Sequence, residues 1–290
     1  MASSGAGWNP ARAVEVLWQY AFMRHAFVAG GAVAVMCAVV GWFVVLRRET
    51  YAAHSLAMVA FPGASAAAYF GVTPLVGYFT GGLTGALAMI WLRGSPGRNP
   101  GSRHSAAVGS VQAVALGLGL LFTSLYRGFL TNATSFLFGS FLGVTATQAT
   151  ILVAVASAAV AAVAAMARTL LFASVDPPVA QGVGVPVGLL SSAFVVLLAL
   201  AVAAAGQFTG VLLVFALLVA PAATAQVLSA RPSVSLALAV AISCVSAWGG
   251  LAAAFFSDRP VGFWITTIAF VAYVAARAGR AAVDRARRRS

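Results

Sequence analysis

Residues 209–228 read TGVLLVFALLVAPAATAQVL, a run of twenty residues without a charged side chain. About 20 apolar residues in a helix cross the roughly 30 Å hydrocarbon core of a membrane. Pro221 lies inside this run, but membrane helices tolerate proline because neighbouring helices satisfy the backbone group that it frees. The stretch therefore predicts a membrane-spanning helix.

Similar apolar runs of about 17 to 23 residues recur along the chain. Of its 290 residues, 62% are hydrophobic and 8% are charged, whereas soluble domains contain about 25% charged residues. The predicted fold class is all-α, a polytopic membrane bundle of about eight to nine transmembrane helices. The spans are placed at 26–46, 54–70, 75–92, 106–125, 147–166, 187–205, 211–228, 234–256 and 262–276. Pro62–Gly63 interrupts the short second span, so eight full spans and one broken span are the alternative.

The basic residues indicate the orientation of the chain. Its net charge of +12 comes with no lysine, and nine spans place 13 arginines on one face and four on the other. The positive-inside rule then predicts a cytoplasmic C terminus and an external N terminus in the cell membrane. Because the arginines lie between apolar runs, they indicate contact with membrane lipid and no nucleic-acid partner. The predicted regions are an external or interfacial segment at 1–25, a transmembrane domain at 26–276 and a basic cytoplasmic tail at 277–290.

Two absences restrict the function. A phosphate-binding loop of the type GxxxxGK[ST] needs a lysine, so this chain is predicted not to hydrolyse ATP by that route, and any ATP hydrolysis belongs to a partner. Ion-coupled carriers commonly place carboxylates within the membrane. The acidic residues are assigned to ends or loops: Glu15, Glu49, Asp176, Asp258 and Asp284. A secondary carrier or channel that works without an ATPase remains the alternative.

The segment 174–186, SVDPPVAQGVGVP, predicts a short helix between two spans. Asp176 suits the N-cap and Pro177 the first helical position, while Gly182 or Gly184 suits the left-handed C-cap. The segment is apolar and uncharged in a loop predicted to be cytoplasmic, which favours a docking element over a rigid turn.

The chain resembles the ABC-3 class of permeases, the membrane subunits of ABC importers for zinc, manganese or iron. The resemblance covers residues 20–273 and rests on four stretches in the same order. These are FMRHAFVAG with VVLRRE (22–30 and 44–49), FLFGSFLGVT (136–145), the segment from Asp176 through Ala180 to Val187, and the run 209–228. The resemblance implies a permease dimer around a central pathway, a separate ABC ATPase that contacts Asp176, Pro177, Ala180 and Gly184, and an extracytoplasmic metal-binding protein. It implies a transported divalent metal ion and no permanently bound cofactor.

The second span departs from the family pattern. The family places an Asp and a His four residues apart before a Pro-Gly pair, and alignment on Pro62–Gly63 puts His54 and Met58 at those positions. Residues i and i+4 share one helix face, so this pair is a candidate metal contact. An imidazole with a thioether is softer than a carboxylate with an imidazole and suits manganese poorly. An interfacial histidine without a ligand role is the alternative.

Two further features concern helix packing. Pro221 is predicted to kink its helix and Thr224 to satisfy the freed carbonyl, in a gating role or in packing alone. Gly77, Gly81 and Gly85 follow a small-xxx-small pattern that predicts close contact with a neighbouring helix.

Overall fold

The computed structural model describes residues 19–93, 100–125, 144–257 and 259–287. In chain order its helices are α1 (Ala21–Leu46), α2 (Thr50–Tyr69), α3 (Pro74–Arg93), α4 (Pro100–Leu125), α5 (Ala146–Val175), α6 (Pro177–Gly182), α7 (Val187–Thr209), α8 (Val211–Leu228), α9 (Pro232–Ser257) and α10 (Val261–Arg287). Residues 136–143 of the FLFGSFLGVT stretch and most of the predicted segment at 1–25 lie outside the described residues.

The bundle confirms the predicted all-α membrane fold. The predicted number of spans, eight to nine, is only approximate. Within the described residues, seven helices are long and apolar enough to cross a membrane. The two other long helices are α2 and α8, and the described side chains of α8 form a shorter apolar stretch, Val214–Leu228. α8 packs against α1, α2, α7, α9 and α10, and α2 packs mainly against α3 and α4. α8 has 18 residues and no charged side chain, which is within the length range of a membrane span.

Two helices continue far past the predicted C-terminal ends of their spans. The sequence predicts that α5 ends at Met166, but the helix continues to Val175, so residues 168–175 are helix and not loop. α10 was predicted to end at Ala276 but continues to Arg287. Alanine and arginine are strong helix formers, and neither extension contains a proline. A fall in hydropathy therefore indicates where a helix leaves the membrane, not where it ends.

The predicted break at Pro62–Gly63 is wrong, because α2 is one continuous helix through Pro62. Close packing against α3 accompanies this continuity. A Cβ on Gly63 would overlap the carbonyl oxygen of Gly77 and lie against the backbone of Gly81, and a Cβ on Gly85 would overlap Val59. The predicted packing role of the α3 glycines is confirmed.

Side-chain hydrogen bonds join the helices at several levels. Ser55 Oγ donates to Gln112 Oε1 at 2.9 Å, and Thr123 Oγ1 donates to Ser65 Oγ at 3.2 Å, so two bonds hold α2 to α4. On the other side of the bundle, the indole of Trp42 donates to Ser235 Oγ at 3.0 Å and joins α1 to α9. Such polar contacts between membrane helices fix their register.

Candidate functional sites

His54 and Met58 lie one turn apart on the first half of α2. His54 is half-buried, and its ring meets the ring of Phe215 on α8 edge to face, with centroids 5.4 Å apart and an interplanar angle of 81°. Met58 is only 8% exposed. The structure therefore places an imidazole and a thioether at the boundary between α2 and α8.

Pro62 adds a backbone feature to the same part of α2. A proline has no N–H, so position 62 offers no amide donor to the carbonyl of Met58, its usual partner four residues earlier. Ser65 Oγ donates to the carbonyl of Phe61 at 3.0 Å instead. The helix turn that carries Met58 thus presents a carbonyl oxygen without the amide that a helix normally supplies.

A groove opens beside His54 between α8 and α10. Its volume is about 670 Å³, and Phe215, Phe263, Phe270 and Tyr273 are among its lining residues. Phe263 and Phe270 are 55% and 64% exposed. Because Phe215 contacts His54 and also lines the groove, His54 lies next to an apolar surface of a single chain and not in an enclosed channel.

Pro221 and Thr224 lie on α8, and only part of their predicted arrangement is found. The carbonyl that Pro221 leaves without an amide donor is that of Leu217. Thr224 Oγ1 instead donates to the carbonyl of Ala220 at 2.7 Å, so the structure shows a different bond from the predicted one. Ala222 and Ala225 are fully buried, which agrees with close helix packing around the PAATA stretch.

The short helix α6 has the predicted capping. Asp176 Oδ1 accepts a hydrogen bond from the amide of Val179 at 3.1 Å, and Pro177 occupies the first turn. Of the two glycines proposed for the left-handed position, Gly184 takes it with φ +86°, after a C-cap at Val183. The helix predicted from local capping residues is therefore confirmed.

α6 presents different faces to the bundle and to its surroundings. Ala180 is fully buried, whereas Val175, Val179 and Val183 are 71%, 53% and 70% exposed. Val175 is the last residue of α5, Val179 lies within α6, and Val183 is the C-cap of α6, so the exposed valines follow the chain into, through and out of the short helix. The result is an exposed apolar stripe at the junction of α5 and α7.

The sequence-predicted residues form two groups. His54, Met58 and Pro62 lie on α2, next to the α8 helix that carries Pro221 and Thr224, and the α6 residues form a separate group between α5 and α7. Among the described residues there is no cluster of three or more His, Cys, Asp and Glu side chains that could hold a metal ion.

The sequence did not indicate a functional role for two residues, Phe215 on α8 and Arg47 at the end of α1. Phe215 is one apolar residue within an apolar run, and no pattern marks it as the partner of His54. Arg47 was counted only as a topological charge, although the VVLRRE stretch places a glutamate two residues after it. An acidic residue that close to an arginine at a helix end is a usable signal of an ion pair.

The bundle of long apolar helices is that of a multi-pass membrane protein. The model of the ABC 3 transport family matches residues 19–280. The chain belongs to the ABC 3 transport family.

Individual relatives support this assignment over most of the chain. The manganese transport system membrane protein MntC of Halalkalibacterium halodurans is 29% identical over 88% of this chain and 86% of its own length. The high-affinity zinc uptake system membrane protein ZnuB of Haemophilus influenzae is 27% identical over 82% of this chain and 89% of its own length. The solved structure of PsaBC from Streptococcus pneumoniae in complex with Fab has the same fold. Its TM-score is 0.82 at 23% identity, and the match covers 92% of this chain and 95% of that chain.

Proposed function

We propose that this chain is the membrane subunit of an ATP-driven importer for a divalent transition metal. In this proposal α6 docks a separate ABC ATPase on the cytoplasmic face, and the metal passes the His54–Met58 face of α2. The observation that carries the proposal is α6 itself, a capped helix that exposes apolar side chains.

The exposed valines in and beside α6 support the presence of a protein partner. Exposed apolar side chains in water are costly when they are contiguous, and such patches often mark interaction sites. Val175, Val179 and Val183 lie on a part of the chain that the arginine distribution places on the cytoplasmic side. An ATPase must bind on that side, because ATP is cytoplasmic.

The metal is proposed from the side chains and from the relatives. Permeases named for manganese and for zinc are both similar to this chain. Imidazole suits zinc and iron, whereas a thioether is a poor ligand for manganese. We therefore propose zinc, manganese or iron as the transported ion, with His54 and Met58 favouring the softer ions over manganese.

The proposed importer also contains a second copy of this chain and an external metal-binding protein. The second copy is suggested by the position of His54 beside an open groove. A second copy of the chain against the α8–α10 groove would enclose the apolar surface next to His54 and form a pathway between two permeases. A metal-binding protein outside the cell membrane would deliver the ion to that pathway. The N terminus is then external and the basic C terminus cytoplasmic.

The docking role of α6 is tested by placing a charge on its apolar stripe. Val179→Asp puts a carboxylate on the proposed contact surface, and an acidic residue is well tolerated in the first turn of a helix. Gln181→Glu adds the same charge two residues away and is the matched control. We expect Val179→Asp to lose co-purification with the ATPase encoded beside this chain, and Gln181→Glu to retain it. Equal co-purification of both variants would contradict the docking role.

A further inference from the structure

Arg47 lies at the end of the bundle that carries α6, and its guanidinium contacts side chains of several helices. The side chain is only 9% exposed and pairs with Glu49 at 3.2 Å. Its guanidinium donates to Ser191 Oγ at 2.8 Å and to Ser174 Oγ at 3.4 Å. The guanidinium carbon also lies 5.3 Å from the ring centroid of Phe194.

The partners of Arg47 lie on both sides of α6. Ser174 is on the last turn of α5, two residues before the Asp176 cap, and Ser191 is on the first turns of α7. Arg47 itself is the C-cap of α1. One side chain therefore connects the helix before α6 and the helix after it to the end of α1.

The same side chain connects this region to the start of α2. Glu49 is the N-cap residue of α2, and its carbonyl accepts a hydrogen bond from the amide of Ala53 at 3.0 Å. His54 is the next residue. The Glu49 side chain makes no capping hydrogen bond to α2, so the link from Arg47 to the start of α2 runs through the Glu49 backbone.

The chemistry of arginine suits this connection. A planar guanidinium with five fixed donors binds several partners at once, whereas a lysine ammonium acts as a single point charge. Nε of Arg47 is buried and has no hydrogen-bond partner here. A displacement of α5 or α7 could therefore exchange one hydrogen bond for another without leaving the guanidinium less satisfied than it is in this conformation.

We propose that Arg47 is a positioning residue that transmits movement of α6 to the His54 end of α2. This inference rests on the proposed function, because the movement would come from an ATPase docked on α6. The alternative is that Arg47 only fixes the topology, as the neighbouring exposed Arg48 does. The two roles differ in whether ATP hydrolysis stays linked to transport.

The test compares Arg47→Gln with Arg48→Gln in complexes of the permease with its neighbouring ATPase, reconstituted in liposomes. ATP hydrolysis and zinc uptake are measured in the same vesicles. For Arg47→Gln we expect hydrolysis close to wild type and a fall of about tenfold in zinc transported per ATP, in keeping with the coupling energies of residues between sites. Arg48→Gln should keep the wild-type ratio.

Two more variants separate the mechanism from a loss of structure. The pair Ser174→Ala with Ser191→Ala removes the two serine partners on α5 and α7 and keeps the charge and the Glu49 pair. It should reproduce most of the loss of coupling. This pair also carries the test if Arg47→Gln does not accumulate in the membrane. Arg47→Lys should fall between wild type and Arg47→Gln.

The outcomes are distinguishable. A wild-type ratio of zinc to ATP in both Arg47→Gln and the double serine variant would overturn the role of Arg47, as would equal losses of hydrolysis and uptake. Absence of ATP-driven uptake in the wild-type complex would overturn the proposed function itself, before any variant is compared.

Discussion

The two halves of α2 are held in different ways. The half after Pro62 is packed backbone to backbone against α3 at Gly63, and Ser65 accepts a hydrogen bond from Thr123 on α4. The half before Pro62 is also well packed, with Val59 against Gly85 and Ser55 bonded to Gln112. Its His54 side chain, however, meets α8 through an edge-to-face contact with the Phe215 ring, next to an open groove. The contact at Gly63 is made by backbone atoms, whereas the contact at His54 is made by a half-buried side chain that can change its rotamer without moving the helix. We call these the fixed end and the adaptable end of α2. This difference places the adaptable end at the candidate metal contact.

The largest expected effect is on transport, at the adaptable end. His54→Ala removes the imidazole and should reduce zinc uptake by about a hundredfold, as for loss of a principal ligand or its support. The stability of the protein should change little, because His54 is half-buried beside a groove. Uptake in cells that depend on this transporter measures the effect. His25→Ala, another half-buried histidine near the other end of α1, is the control, and equal uptake by both variants would remove His54 from the pathway.

At the fixed end we expect an effect on protein stability. Gly63→Ala forces a methyl group against the Gly77 carbonyl and should cost about 2 kcal/mol, a typical value for overpacking, or roughly 5 °C in melting temperature. Gly117→Ala is the matched control, because nothing lies within 4 Å of a Cβ at that position. Thermal unfolding in detergent measures the difference. If the two variants melted together, α2 would not be fixed by contact of its backbone with α3.

A smaller effect concerns which metal passes the adaptable end. Replacing both residues, His54→Asp with Met58→His, supplies a hard carboxylate in place of the thioether. The ratio of manganese to zinc uptake should then rise several-fold, because oxygen and nitrogen ligands suit manganese better than sulfur does. Competition between the two ions in uptake assays measures the ratio. A ratio unchanged in the double variant while total uptake persists would show that this pair does not select the ion.

The smallest effect is expected from the hydrogen bond between α2 and α4. Ser65→Ala removes the interhelical partner of Thr123, whose hydroxyl also lies 2.6 Å from the Gly119 carbonyl oxygen of its own helix. The loss should therefore cost no more than about 0.6 kcal/mol, the average for such bonds between membrane helices. Ser124→Ala is the control, because Ser124 is exposed and donates within its own helix to the Leu121 carbonyl. Melting curves should separate the variants by about 1 to 2 °C. The reverse order of stability would show that the serine hydroxyl does not hold α2 in place.

The parts of the fold that depend on local chemistry could be predicted from the sequence. The span at 211–228 has the predicted bounds because Gly210 precedes it and polar residues follow it. α6 was predicted because its cap, first turn and stop are set by neighbouring residues. The ends of α5 and α10 were not predicted, because hydropathy reports the solvent around a helix while alanine and arginine continue the helix in water.

The parts that depend on distant residues could not be predicted in the same way. Arg47 and Ser191 are 144 residues apart in the chain, and Phe215 meets His54 from a different helix. Pro62 indicated a break, but the packing of Gly63 against α3 is a property of two helices together. In the candidate site, the sequence could therefore indicate which side chains carry chemistry but not which ones they meet.

The central claim is that this chain provides a path and that a separate ATPase drives transport through it. Liposomes containing the chain alone, or the chain with its neighbouring ATPase, are loaded with ATP and a zinc-sensitive dye. Zinc bound to the extracytoplasmic protein is then added outside. We expect zinc to accumulate only when both the ATPase and ATP are present. Zinc accumulation by the chain alone, at the rate of the complete complex, would contradict the claim and favour a secondary carrier or channel.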